Sequence, residues 1–166
     1  MRRLIALVLI LLLGAGPARA APGYDWPLDP RPELSRPFAN PVQRWQPGHR
    51  GADLAAAVGQ TVFSAGPGTV NHVGRVNNRT VVSVLHPNGL LTTYEPIADP
   101  LVREGDEVAV GTALGRVAAG HEGCPAVACL HWGLRRGAGH AARYFNPLLL
   151  VGAAPARLLP DNGTYR

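Results

Sequence analysis

The sequence contains no lysine; all 16 of its basic residues are arginine. That absence excludes every function that needs a modified lysine side chain. Long apolar periodicity at helical spacing is missing too, while 20 glycines and 16 prolines are spread over 166 residues. The combination argues for a loop-rich β protein. Beyond residue 20 no apolar run approaches the ~20 residues that a bilayer span requires, so no transmembrane span is expected there. No G-x-S-x-G elbow occurs, which argues against a serine hydrolase. Cysteine is scarce, with only Cys124 and Cys129 present.

What is there begins with an export signal. Met1-Arg2-Arg3 is a short positive start, residues 4–13 are an unbroken apolar run, and Ala18-Arg19-Ala20 is a small-residue cleavage site. Residues 1–20 are therefore expected to be removed as a signal peptide, leaving 146 residues in a secreted, cell-wall or periplasmic protein. Losing Arg2, Arg3 and Arg19 lowers the formal charge from +5 to +2, too little for a nucleic-acid footprint. In an exported chain a close pair of cysteines reads first as a disulfide.

Residues 21–47 carry seven prolines and form a Pro-rich N-terminal arm that can be neither a regular helix nor a central strand. Trp26, Leu28, Phe38 and Trp45 suggest that this arm packs on the domain. From residue 60 the pattern becomes short strands separated by turns. Strands are expected at 61–64, 69–70, 80–85, 90–95, within 102–108, at 111–117 and at 130–135, with His86-Pro87-Asn88-Gly89 as a hairpin turn. Such spacing indicates an antiparallel sheet, sandwich or barrel. The domain is expected at 48–150 and a surface tail at 151–166.

Two segments about 80 residues apart carry metal-binding chemistry. Gly48-His49-Arg50-Gly51-Ala52-Asp53-Leu54 offers a nitrogen and an oxygen, both ordinary zinc donors. In the last strand Leu130, Trp132 and Leu134 alternate onto one face, which sends His131 to the other. Taken together, His49, Asp53 and His131 would give three ligands and one open position, the arrangement of a catalytic zinc.

These residues resemble the lysostaphin/LytM-type peptidoglycan endopeptidases, which carry an H-x-x-x-D segment and a late H-x-H strand. Residues 48–56, the turn and strand at 65–70, the hairpin at 88–94, the stretch 102–115 and Leu130-His131-Trp132 fall in the family's order. The resemblance implies an all-β fold, an open antiparallel β-sandwich with a groove. It implies one zinc ion on His49, Asp53 and His131, and peptidoglycan peptide cross-links as the substrate class, with other cell-wall hydrolases as possible partners. Glu104-Gly105-Asp106-Glu107-Val108 also looks like half of a lipoyl-carrier motif, a reading that the absence of lysine removes.

The sequence departs from the family at two positions. The first histidine of H-x-H is matched by Cys129, and a histidine two residues after a tyrosine is matched by Pro96. Both usual proton-transfer groups are therefore replaced, so an active peptidase and a non-catalytic wall-binding or regulatory derivative both remain open. Among substitutes, Glu95 is sent by alternation to the face away from Tyr94 and Pro96. His121 is the first candidate to test; Glu122, beside it, and His72, after an expected strand, are others. Cys129 has three readings: a disulfide with Cys124, a thiolate ligand that closes the zinc site, or a free nucleophile. Arg135 and Arg136 are candidates to meet carboxylates of wall peptides.

Overall fold

In a computed structural model, residues 23–41, 43, 45–120 and 123–154 are described. The expected signal peptide, the end of the tail, His121 and Glu122 lie outside them. The strands are β1 (Leu34–Arg36), β2 (Gly51–Ala56), β3 (Thr61–Phe63), β4 (Gly68–Val76), β5 (Arg79–Leu85), β6 (Leu90–Glu95), β7 (Ile97–Ala98), β8 (Glu107–Val108), β9 (Ala113–Val117), β10 (Ala128–Arg136) and β11 (Arg143–Tyr144). All pair antiparallel. The larger sheet runs β1-β2-β10-β6-β5-β4-β8, with β11 on β10, and the smaller runs β3-β9-β7. This is the open antiparallel architecture that the family resemblance implied, within the antiparallel class that the turn spacing indicated.

Turn chemistry explains the central hairpins. Asn77 and Asn78 both have positive φ (46° and 66°), as a two-residue loop between twisted strands demands, and they join β4 to β5. Asn tolerates that conformation better than most residues. The strand expected at 69–70 therefore continues to Val76, and His72 lies inside it rather than after it. Within 102–108 only Glu107 and Val108 are strand, because Asp106 folds back onto Arg103 in a turn. Strand β2 carried no sequence signal, since Gly and Ala dominate it. It forms because it is paired on both sides, by β1 and β10. The arm supplies β1 at the sheet edge, where flanking prolines are tolerated.

Alternation on β10 buries Leu130, Trp132 and Leu134 against Leu54, Val82 and Val84. The arm closes one side of this core, with Leu28 buried and Trp26 tilted against Trp132 at 6.3 Å between ring centroids. At the other end Leu148 and Leu150 are buried, and Val151, Ala153 and Ala154 still pack on the core. The packed region thus runs past residue 150, where the surface tail was expected to begin.

One polar chain crosses the interior. The backbone N–H of Ala65 donates to the Tyr94 hydroxyl (2.8 Å), which lies 2.9 Å from Thr92 Oγ1. Thr92 lies 2.9 Å from His86 Nε2, and His86 Nδ1 donates to the Pro67 carbonyl (2.7 Å). A carbonyl only accepts, so His86 Nδ1 holds the proton and Nε2 accepts from Thr92, which in turn accepts from Tyr94. Burial depresses the His86 pKa, with the Pro67 hydrogen bond acting weakly the other way. The unfolded chain protonates this residue below its ordinary value of about 6.5, while the folded chain resists. Stability from this group is therefore present above about pH 6.5 and declines as the pH falls, by at most about 1.4 kcal/mol per pH unit for one proton. Urea unfolding at pH 7.5 and 5.5 should show a smaller decline in His86→Gln than in the native chain. Equal slopes would refute this assignment.

Candidate metal centre

His49, Asp53 and His131 are brought together. Asp53 on β2 and His131 on β10 are directly opposed across the strand pair. His49 precedes β2 and is held from the arm. Its N–H donates to the Ala39 carbonyl (2.8 Å), its carbonyl accepts from Ala39 N–H (2.9 Å), and its Nδ1 donates to the Pro37 carbonyl (2.8 Å). That last bond fixes the ring. In the neutral imidazole, Nε2 then presents only a lone pair to the site.

The three donor atoms converge. His49 Nε2 lies 2.9 Å from Asp53 Oδ1 and 3.1 Å from His131 Nδ1, and His131 Nδ1 lies 2.8 Å from Asp53 Oδ1. Tetrahedral ligands at zinc distances lie about 3.3 Å apart, so only a few tenths of an ångström separate this arrangement from a coordination shell. Burial points the same way. Asp53 is 0% exposed and His49 6% exposed. A carboxylate taken fully out of water requires a compensating positive charge. These three residues could hold a divalent ion.

A glycine makes the geometry possible. A Cβ on Gly51 would lie 2.5 Å from His131 Nε2, so any side chain there would displace the ring. Glycine in the H-x-x-x-D segment is thus set by the close approach of the second histidine.

The replaced positions hold no proton-transfer group. Cys129 is fully buried and disulfide-bonded to Cys124, with Cα atoms 5.8 Å apart. The sulfur is therefore neither a thiolate ligand nor a nucleophile. Closing a loop of five residues should contribute about 2 kcal/mol. Denaturant unfolding with and without reductant should differ by that amount, with zinc affinity unchanged. A rise in zinc affinity on reduction would restore the thiolate-ligand reading.

Pro96 is buried, but its neighbour Glu95 is opposed to His131 across β6 and β10. Directly opposed residues share a face. Alternation does send Glu95 away from Tyr94, and that other face is the metal face. Its carboxylate is one-fifth exposed, and its Oε1 lies 3.9 Å from Arg79 Nη1. The signal was available in the sequence. Once Tyr94 and Trp132 are both assigned to the core, residues 95 and 131 must both face outward.

His72 lines a groove that His131, Glu95 and Arg135 also line. Its Nδ1 is 2.9 Å from Glu104 Oε1. Both Arg135 and Arg136 are engaged with backbone carbonyls, of Gly137 and Asn88. Arg135 also lines the groove.

Comparison with known proteins agrees with this geometry. Residues 47–147 match Peptidase family M23. An uncharacterized protein of Mycobacterium tuberculosis is 48% identical over 157 residues, covering 92% of this chain. The chain spans 63% of that relative's length. Among solved structures, a zinc containing peptidase from Vibrio cholerae aligns with a TM-score of 0.57 and 24% identity, over 68% of this chain and 36% of that one. The catalytic domain of lysostaphin from Staphylococcus simulans aligns with a TM-score of 0.57 and 18% identity, over 68% of this chain and 88% of the domain. At these identities the structures speak for the fold alone, whereas the family match covers well over half of the chain and contains all three converging residues. The chain belongs to peptidase family M23.

Proposed function

We propose that this chain is an exported, zinc-dependent hydrolase of peptidoglycan peptides with an altered proton-transfer apparatus. The observation that carries the reading is the convergence of His49 Nε2, Asp53 Oδ1 and His131 Nδ1 within 3.1 Å of one another. When bound, zinc would polarise a scissile carbonyl and acidify water. Pro37 holds the His49 ring, Asp53 supplies the negative charge, and the disulfide keeps Cys129 from filling the fourth position. Glu95, opposed to His131, is the carboxylate placed to take a proton from water on that face.

The second reading, a non-catalytic protein that binds wall peptides or regulates another wall hydrolase, draws on one observation. Neither Pro96 nor disulfide-bonded Cys129 can transfer a proton. The two readings separate in one experiment on the chain without its signal: zinc is quantified, and new amino termini are counted after incubation with purified peptidoglycan. One zinc per chain with chelator-sensitive release supports the hydrolase. Wall binding with no release, with or without zinc, supports the derivative, and absence of zinc binding removes the hydrolase.

A further inference from the structure

The register lines up one residue from each of four adjacent strands. Arg36 opposes Asp53, Asp53 opposes His131, and His131 opposes Glu95. A β-bulge between Leu34 and Arg36 breaks simple alternation on β1, but Arg36, His131 and Glu95 line one cleft, so the two converging residues sit between a guanidinium on one flank and a carboxylate on the other. Strands are about 4.8 Å apart, so the entire row spans roughly 14 Å.

A cleft of about 900 Å³ opens over this row. Arg36, Arg50 and Arg79 line it together with His49, His131 and Trp45, and among the described residues Glu95 is its one acidic wall residue. The arginines are not equivalent. Arg50 lies over the Tyr144 ring at 5.1 Å, and Arg79 sits 3.9 Å from Glu95 Oε1, beyond hydrogen-bond range. Arg36 is exposed, and space is kept for its guanidinium: a Cβ on Gly123 would stand 3.3 Å from Arg36 Nη1. On the rim Trp45 is 82% exposed, an unusual state for tryptophan.

We propose that this cleft is a carboxylate-binding subsite, anchored by Arg36 with Arg79, that selects peptides with a free C-terminal carboxylate close to the bond presented at the metal centre. The proposal rests on the metal-dependent reading above and adds the substrate's end. A planar guanidinium matches a carboxylate through two parallel hydrogen bonds, and a cleft with three arginines against one glutamate favours an anionic guest. Arg36 stands two strands from His131, about 10 Å, and its side chain spans part of that gap. A carboxylate seated on it therefore leaves about one or two residues between the free end and His131. Such a site trims peptide ends in preference to cutting within a bridge.

The test uses two probes, an N-acetylated tripeptide ending in D-Ala-D-Ala and the same peptide as its C-terminal carboxamide. Binding is measured by calorimetry on the metal-free and zinc-loaded chain, and zinc content is measured on the same samples. The acid is expected to bind at least tenfold more tightly than the amide, with a preference that shrinks as salt is raised. Arg36→Gln and Arg79→Gln should each cut that preference, and the double variant should erase it, with zinc content unchanged. Equal binding of acid and amide by the native chain, or full discrimination retained in the double variant, overturns the subsite. If zinc is bound but the acid is not preferred, the subsite alone fails. If the native chain binds no zinc, the metal-dependent reading falls and takes the subsite with it.

Discussion

Replacing His49 by alanine is expected to empty the metal centre while leaving the sheet intact. His49 stands outside β2, and its backbone bridge to Ala39 does not use the side chain, so the fold should survive. The ring is one of three donors, and its loss leaves a carboxylate and a single imidazole. Removing a group that merely orients a ligand typically weakens metal binding 10–100-fold. Removing a donor itself should therefore cost more than about 100-fold. Zinc retained after dialysis against a metal buffer measures this directly, and circular dichroism checks the fold. Peptidoglycan hydrolysis should disappear together with the zinc. Zinc content equal to that of the native chain would mean that His49 is not a ligand.

Glu95→Gln is the second large effect. The substitution preserves shape and hydrogen-bonding reach and removes the ability to take up a proton. Groups that accept a proton in the transition state contribute typically 10²–10⁴-fold, so kcat should fall by about that factor. Zinc stoichiometry should change little, because Glu95 is not among the three converging residues. An unaltered kcat would move proton transfer to another residue. A native chain that shows no turnover on any wall preparation would favour the binding and regulatory reading.

Much of the architecture could be read from the chain because turns and alternation are local signals. The Leu130, Trp132 and Leu134 alternation placed His131 correctly on the outer face. Proximity of Cys124 and Cys129 in a chain expected to be exported was enough to expect the bridge that forms. The rest depends on pairing between distant segments. Strand β2 is composed of residues with poor strand propensity, and only its neighbours make it a strand. Arg36 lies four prolines deep in the arm, and nothing nearby in sequence indicates that it opposes Asp53. Glu95 was an error of direction. Its face was assigned correctly, but the active face was taken to be that of Pro96. The clamp on His49 by the Pro37 carbonyl is a backbone contact over twelve residues, which carries no side-chain signature.

The dependence of His49 on Pro37 and Ala39 has a consequence for how the protein is handled. Residues 37–39 are joined to His49 through the chain by the short stretch 40–48, and otherwise by hydrogen bonds and by the pairing of β1 with β2. A protease cut in that stretch would leave the sheet standing and leave the clamp on one imidazole held by non-covalent contacts alone. Preparations nicked there should remain folded by circular dichroism yet lose zinc on dilution. Intact mass is therefore the first quality check for any measured zinc occupancy, and affinity tags belong at the C-terminus, away from this tether.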